Sequence, residues 1–272
     1  MNSKPAIFGA IILGILILGL VLWYVTEHPA PYINHPTATS TPAGTVGTAS
    51  APGHLTEHAA YYDIDTAYPT ATPLKGTAGA TADAKAIAIM KGFDQNSIDA
   101  FKEDGNFANL TQEDIHMQGL DQGRSYSLQI TYKVYESAHT VSYVYVLYED
   151  TLGAHPNSYY RTFTFDKKTG AGLELGDLFV PNTDFVTTLS TISRKLLPSI
   201  EAKEQGSSLE EVATQMITDG TTPDADNFLN WYVDGTNLVL VFPPYQVSAY
   251  ALGTQIVTIP LSQLAIQPSY AK

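Results

Sequence analysis

Hydrophobic positions along this chain fall into three regimes. Ala6–Val25 ("AIFGAIILGILILGLVLWYV") is apolar without a break. From Thr26 to about His58, Pro, Thr, Ala, Ser and Gly leave almost no large apolar side chains. Over residues 59–267 apolar residues recur at every second, or every third and fourth, position, the spacings of half-buried strands and amphipathic helices.

The first regime predicts a single membrane span, because about 20 uncharged residues at a 1.5 Å rise match a hydrocarbon core about 30 Å thick. Trp23 and Tyr24 suit the headgroup level, Lys4 precedes the run and Glu27 follows it, so residues 1–25 are expected to anchor the chain with its N-terminus inside and the rest extracytoplasmic. A cleaved signal is the competing reading, but its apolar core is usually about 7–15 residues, and "YVTEHPAP" is a poor cleavage site. Residues 26–58 cannot bury enough surface to offset their ordering entropy, and are expected to form a disordered stalk. His28, His35, His54 and His58 lie along it at irregular spacing, as solvated linker histidines rather than a metal site.

In the third regime "YYDIDTAY" predicts a strand closed by Pro69, and residues 81–105 a long helix with Ala86, Met90, Phe93, Ser97 or Ile98, and Phe101 on one face. Residues 106–124 show no sustained period. "SYSLQITYKVY" alternates with Leu128, Ile130, Tyr132 and Val134 inward; "VSYVYVLYE" is apolar on both faces, like a central strand, and "SYYRTFTFD" alternates again. Three antiparallel strands in a meander are the simplest arrangement. "DKKTGAG" is a hairpin turn, with "LELGDLF" as its return strand. Two helices follow, one striped by Phe185, Leu189, Ile192, Leu196 and Ile200 and ended or kinked near Pro198, the other by Leu209, Val212, Ala213, Met216 and Ile217 behind a capping box at Ser208 and Glu211. A hairpin turning at Asp234–Gly235 and a last strand, "TQIVTIP", complete the order helix, sheet, helices, sheet, which is α+β, mainly antiparallel. The expected division is a small strand–helix domain at 59–124, an α+β domain at 125–267 and a tail at 268–272.

Charge narrows the partners. With 27 acidic against 14 basic residues the net charge is −13, which argues against a nucleic-acid binder, since phosphate contacts need clustered Lys and Arg. The absence of cysteine excludes disulfides, thiol catalysis, Cys-ligated zinc and a lipidated N-terminal cysteine. No G-x-S-x-G, H-E-x-x-H or P-loop pattern occurs, and the stretches starting at Asp166 and Asp224 lack the ligand set of an EF-hand. No catalytic, metal or cofactor residue is assigned.

Two loops remain as candidates for binding. In "GAHPN", His155 sits beside Pro156 and Asn157, with Asp150, Asp166 and Asp177 as acids that could orient an imidazole. A tight connection between strands is the competing reading, with His155 bonding its own loop. In "PPYQVSAYALG", Tyr245 and Tyr250 are rigid amphipathic rings of the kind that anchor ligands, or side chains that pack a long crossover onto the sheet. The candidate binding residues are therefore His155, Asn157, Tyr245 and Tyr250.

"GAHPN…FTFDKKTGAGLELGDLF" followed by "VFPPYQVSAYALGTQIVTIPLSQL" resembles the C-terminal extracytoplasmic domain of RsiV-type regulators and PdaC-type cell-wall deacetylases, and "YYDIDTAYP" with its helix is similar to the smaller domain that precedes it. The resemblance runs over about residues 60–267 and implies an α+β module facing outward. In RsiV-type members that module binds lysozyme; in the deacetylases it accompanies a separate catalytic domain. Only Met1–Pro5 precedes the apolar run and no deacetylase domain follows, so neither sigma-factor binding nor deacetylation is expected to carry over. Gln246, Ser248 and Ala249 stand where the pattern has glutamate, alanine and proline, and Leu152 where it has glycine. The expectation is a membrane-anchored binding or sensing module of the cell envelope, its ligand a basic protein such as lysozyme or a cell-wall glycan. The alternatives are a wall-glycan hydrolase or deacetylase-like enzyme centred on His155, and an architectural envelope protein.

Overall fold

The computed structural model describes residues 51–206, 208 and 214–271. The expected membrane span, most of the stalk and Glu211 of the expected capping box lie outside them; among the described residues no helix is long and apolar enough to cross a membrane.

The chain begins with β1 (Gly53–His58) and β2 (Tyr62–Tyr68), an antiparallel pair. This corrects the stalk boundary: Gly53–His58, expected in the disordered linker, form a strand. β1 carries only one large apolar residue, Leu55, and is held partly by polar pairs: His58 Nδ1 meets the facing Asp63 at 2.8 Å and His54 Nδ1 meets Asp65 at 2.8 Å. A short helix, α1 (Leu74–Thr77), leads into α2 (Ala80–Gly105). α2 buries Asp83, Ala86, Met90, Asp94, Ile98 and Phe101, the expected face except that Asp94 goes inside and Phe93 only half so. Residues 106–124, expected to be irregular, contain α3 (Gln112–Met117) behind a capping box of Thr111 and Asp114.

β3 (Tyr126–Glu136) then pairs parallel with β2, which requires a crossover, and α2 supplies it. This hydrogen-bonded pair joins the two expected domains, so the division at 124/125 runs through a sheet. β4 (Thr140–Asp150) and β5 (Asn157–Asp166) complete the expected antiparallel meander. The return strand expected over "LELGDLF" shrinks to β6 (Gly172–Leu173), because the chain turns into a 3-10 helix at Leu175–Leu178. The first sheet has the order β1-β2-β3-β4-β5-β6.

The second half holds α4 (Phe185–Gln205), α5 (Thr214–Gly220), β7 (Trp231–Asp234), β8 (Asn237–Phe242) and β9 (Gln255–Pro260). Pro198 lies inside α4 rather than ending it. The three strands form an antiparallel sheet in the order β7-β8-β9. Alternation along β8 explains the layering. Leu238, Leu240 and Phe242 pack in the core that includes Leu189 and Leu197 of α4, while Val239 and Val241 turn to Val144 of β4 and Tyr232. The layers are therefore α2, the first sheet, the second sheet and α4. Each fully buried leucine in this arrangement contributes about 2 kcal/mol of transfer free energy.

Polar positions on the first sheet also have a task. The outer N–H groups of edge strand β7 need acceptors, and Trp231 N–H donates to Thr162 Oγ1 (3.1 Å) while Val233 N–H donates to Ser142 Oγ (3.3 Å). The face of β4 and β5 that bears these hydroxyls is buried under the second sheet, which is why β4 reads as apolar on both faces.

Candidate functional site: two converging loops

The β4–β5 connection is fixed at its start by the Asp150 carboxylate, which accepts the Leu152 N–H at 2.8 Å, and by Arg124, whose Nη2 donates to the Leu152 carbonyl at 3.2 Å. Leu152 has φ 61°. That left-handed conformation is where a glycine would sit without cost, and a leucine there is strained by about 1–2 kcal/mol.

The β8–β9 connection starts with a turn in which the Gln246 N–H donates to the Pro243 carbonyl at 3.1 Å. Pro244 takes the second position and Tyr245 the third, with φ 71°, the geometry of a type II turn whose third position normally takes glycine or asparagine. Gln246 locks the turn from below: its Nε2 donates to the carbonyls of Gly220 (3.0 Å) and Asn227 (2.9 Å). Two carbonyl acceptors require a donor here, which an amide supplies and a carboxylate does not. Val247, fully buried, anchors the segment.

These loops meet. The His155 ring stacks on Tyr250 with centroids 3.9 Å apart and planes at 18°, and its Nε2 lies 3.1 Å from the Tyr245 hydroxyl. Tyr250 Oη donates to the Pro156 carbonyl at 2.7 Å, and His155 Nδ1 lies 3.0 Å from the same oxygen. A carbonyl oxygen only accepts, so the proton sits on Nδ1, and in the neutral ring Nε2 accepts from Tyr245. Both ring nitrogens are thus engaged, Nδ1 within its own loop and Nε2 across to the other. The Tyr245 ring, 5.4 Å from that of Tyr250, is 55% exposed. The result is a shelf of three rings with polar edges, its outermost member held in a strained backbone turn, and such strain collects at functional sites.

Of the four candidate residues, the structure brings together His155, Tyr245 and Tyr250. Asn157 enters the ladder as the first residue of β5, opposite Glu149, and among the described residues bonds none of the three rings. The acids flanking His155 in sequence serve other ends. Asp150 holds Leu152, and the Asp177 carboxylate accepts the Glu174 N–H at 2.8 Å. Burial alone would raise Asp166, but the Thr169 N–H, the Tyr270 hydroxyl and the Lys168 N–H hold its carboxyl below the usual range, as befits a turn anchor. Among the described residues no three His, Asp or Glu side chains are grouped to hold a metal ion.

Along β5, where no sequence motif points, lies a hollow of about 300 Å³ beside Arg161. Its signal in the sequence is faint: a single arginine inside "SYYRTFTFD".

The fold is that of solved α+β proteins of one family. A DUF3298 family protein from Pseudomonas aeruginosa PAO1 matches with a TM-score of 0.50 at 15% identity, over 81% of this chain and 95% of its own. A member of the same family from Bacteroides fragilis matches at 0.50 and 18% identity, over 80% and 92%. In sequence, residues 176–262 match the family described as protein of unknown function (DUF3298), a segment that spans α4, the second sheet and the Tyr245 loop. The chain is also 30% identical over 138 residues to the peptidoglycan-N-acetylmuramic acid deacetylase PdaC of Bacillus subtilis (strain 168), half of this chain and 28% of that protein. The resemblance to the PdaC-type domain therefore holds, and the chain spans less than a third of that relative.

Proposed function

We propose that this chain is an extracytoplasmic module that binds cell-wall glycan at the His155–Tyr250–Tyr245 shelf, carried outside the membrane on an anchor at 6–25. The convergence of the two loops carries the reading. Flat rings with hydroxyl and imidazole edges suit a sugar ring, which offers an apolar C–H face for stacking and hydroxyls at its rim. The likeness to a peptidoglycan deacetylase favours the wall as the source of that glycan. His155 serves as a strut in this reading. A hydrolase centred on it would need a carboxylate partner, and the neighbouring acids are committed to the backbone.

The net charge of −13 favours a second ligand, a basic protein such as lysozyme, through complementary fields. Co-sedimentation of the full chain with purified insoluble peptidoglycan separates the two. Glycan binding predicts retention that persists in high salt and is lost in Tyr245→Ala; retention only when lysozyme is present, and its loss with salt, would replace the glycan reading by the protein one.

A further inference from the structure

The first sheet is left open along part of one edge. β5 pairs over its whole length with β4, but with β6 only at Thr164 and Phe165. β6 stops there because Glu174 and Asp177 cap each other's N–H groups and turn the chain into a 3-10 helix. The hollow of about 300 Å³ lies where β6 would have continued. Five consecutive residues of β5, Arg161–Phe165, line it. Successive side chains point to opposite faces of a sheet, so a hollow that touches all five runs along the strand edge. Its lining is mixed, with Arg161, Thr162, Thr164 and Glu174 among apolar side chains. Ile89 of α2 stands on the Phe163 side, and Leu229 and Trp231 on the side where Thr162 bonds the second sheet. Ile89 and Leu229 are 42% and 52% exposed, although both are large and apolar.

At the open end Arg161 lies over the Phe163 ring, 5.4 Å from its centroid, and among the described residues it pairs with no carboxylate. An unpaired guanidinium beside strand backbone that β6 leaves open sets the ligand chemistry locally, against the chain's overall negative charge. We propose that this edge binds an extended peptide bearing a carboxylate, which adds as a strand beside β5 in the place β6 leaves vacant. Its backbone pairs with the free groups of β5, alternate side chains rest on Ile89 and on Leu229, and its carboxylate meets Arg161. A second copy of the chain is the poorer occupant. Antiparallel β5–β5 pairing across this stretch would bring Arg161 toward its own twin.

The test is fluorescence anisotropy of the full chain with a labelled Thr-Val-Thr-Val-Glu peptide, the same peptide ending in Lys, and the Glu peptide N-methylated at alternate amides. The Glu peptide binds, the other two bind about tenfold or more weakly, and Arg161→Glu, at an exposed position, reverses the preference for Glu over Lys. Hydrogen exchange shows new protection confined to residues 158–163. Tyr245→Ala leaves all of this unchanged, which separates the edge from the glycan shelf. No binding of the Glu peptide at millimolar concentration, binding indifferent to methylation and charge, or a chain already dimeric with those amides protected would each overturn the proposal.

Discussion

His155 lies face to face with Tyr250, ring centroids 3.9 Å apart, although one belongs to the β4–β5 loop and the other to the β8–β9 loop. The stack joins the two sheets at one end, since β4 and β5 belong to the first and β8 and β9 to the second. The Tyr250 bond to the Pro156 carbonyl ties the same loops again, and the Thr254 bond to the Tyr160 hydroxyl, 2.9 Å, ties the β8–β9 loop to β5 beside it. Beside this stack Tyr245 is an exposed ring at a backbone position that disfavours it.

Tyr245 therefore sets stability against binding. Glycine adopts φ 71° freely, so Tyr245→Gly is expected to be more stable than Tyr245→Ala by about 1 kcal/mol, while both lose wall binding. Urea denaturation of the two variants with one slope, together with co-sedimentation, checks it; a glycine variant that retains binding would remove Tyr245 from the site.

Gln246→Glu tests the latch. The substitution sets a carboxylate against the carbonyls of Gly220 and Asn227, and is expected to destabilise by about 2–4 kcal/mol at pH 8. Such a carboxyl has a folded pKa above its unfolded one. Its proton is held below the unfolded value, and the stability is lost as pH rises through the folded value, so the penalty shrinks at pH 4.5. Equal penalties at both pH values would contradict the assigned hydrogen bonds.

Gly220→Ala tests the same contact from the other side. An added Cβ would stand 1.9 Å from the Gln246 carbonyl oxygen, a backbone atom, so the Tyr245 loop must move. A loss of about 2 kcal/mol or more in stability, with weakened wall binding, is expected; unchanged melting and binding would refute the close approach.

Asp94 predicts a pH dependence. Burial raises its carboxyl from 3.8 to about 7, opposed only by the Thr66 hydroxyl. The folded state therefore holds a proton that the unfolded chain gives up, and the stability present below the unfolded pKa is lost as pH rises through about 7. Asp63, Asp114 and Asp166, lowered by their hydrogen bonds, act oppositely and lose their contribution as pH falls through their folded values. Asp94→Asn is expected to gain on the order of 2–3 kcal/mol over the wild type at pH 8 and nothing near pH 4, read by thermal unfolding across that range. A constant difference would show that Asp94 keeps its charge inside the core.

Much of the fold was legible because periodicity and burial agree. β3 alternates with Leu128 and Ile130 inward, α2 repeats Ala86, Met90, Ile98 and Phe101, and the β7–β8 hairpin turns beside Gly235. β1 was missed because it is held by His–Asp pairs with β2 rather than by an apolar face, and the pairing of β2 with β3 is non-local, so the 124/125 boundary looked natural. The two site loops stood out through His, Pro and Tyr in short connections. Their convergence depends on how the second sheet lies across the first, which local pattern does not encode. The open edge of β5 was hidden for a similar reason, since it exists only because β6 ends at Leu173.

The most direct test of the shelf is an NMR titration of the full chain with a soluble disaccharide fragment of peptidoglycan, following the ring resonances of His155, Tyr245 and Tyr250. The account predicts saturable shifts concentrated on these three rings in the wild type and none on His155 or Tyr250 in Tyr245→Ala. Shifts absent from the three rings, or equally large in the variant, would contradict it.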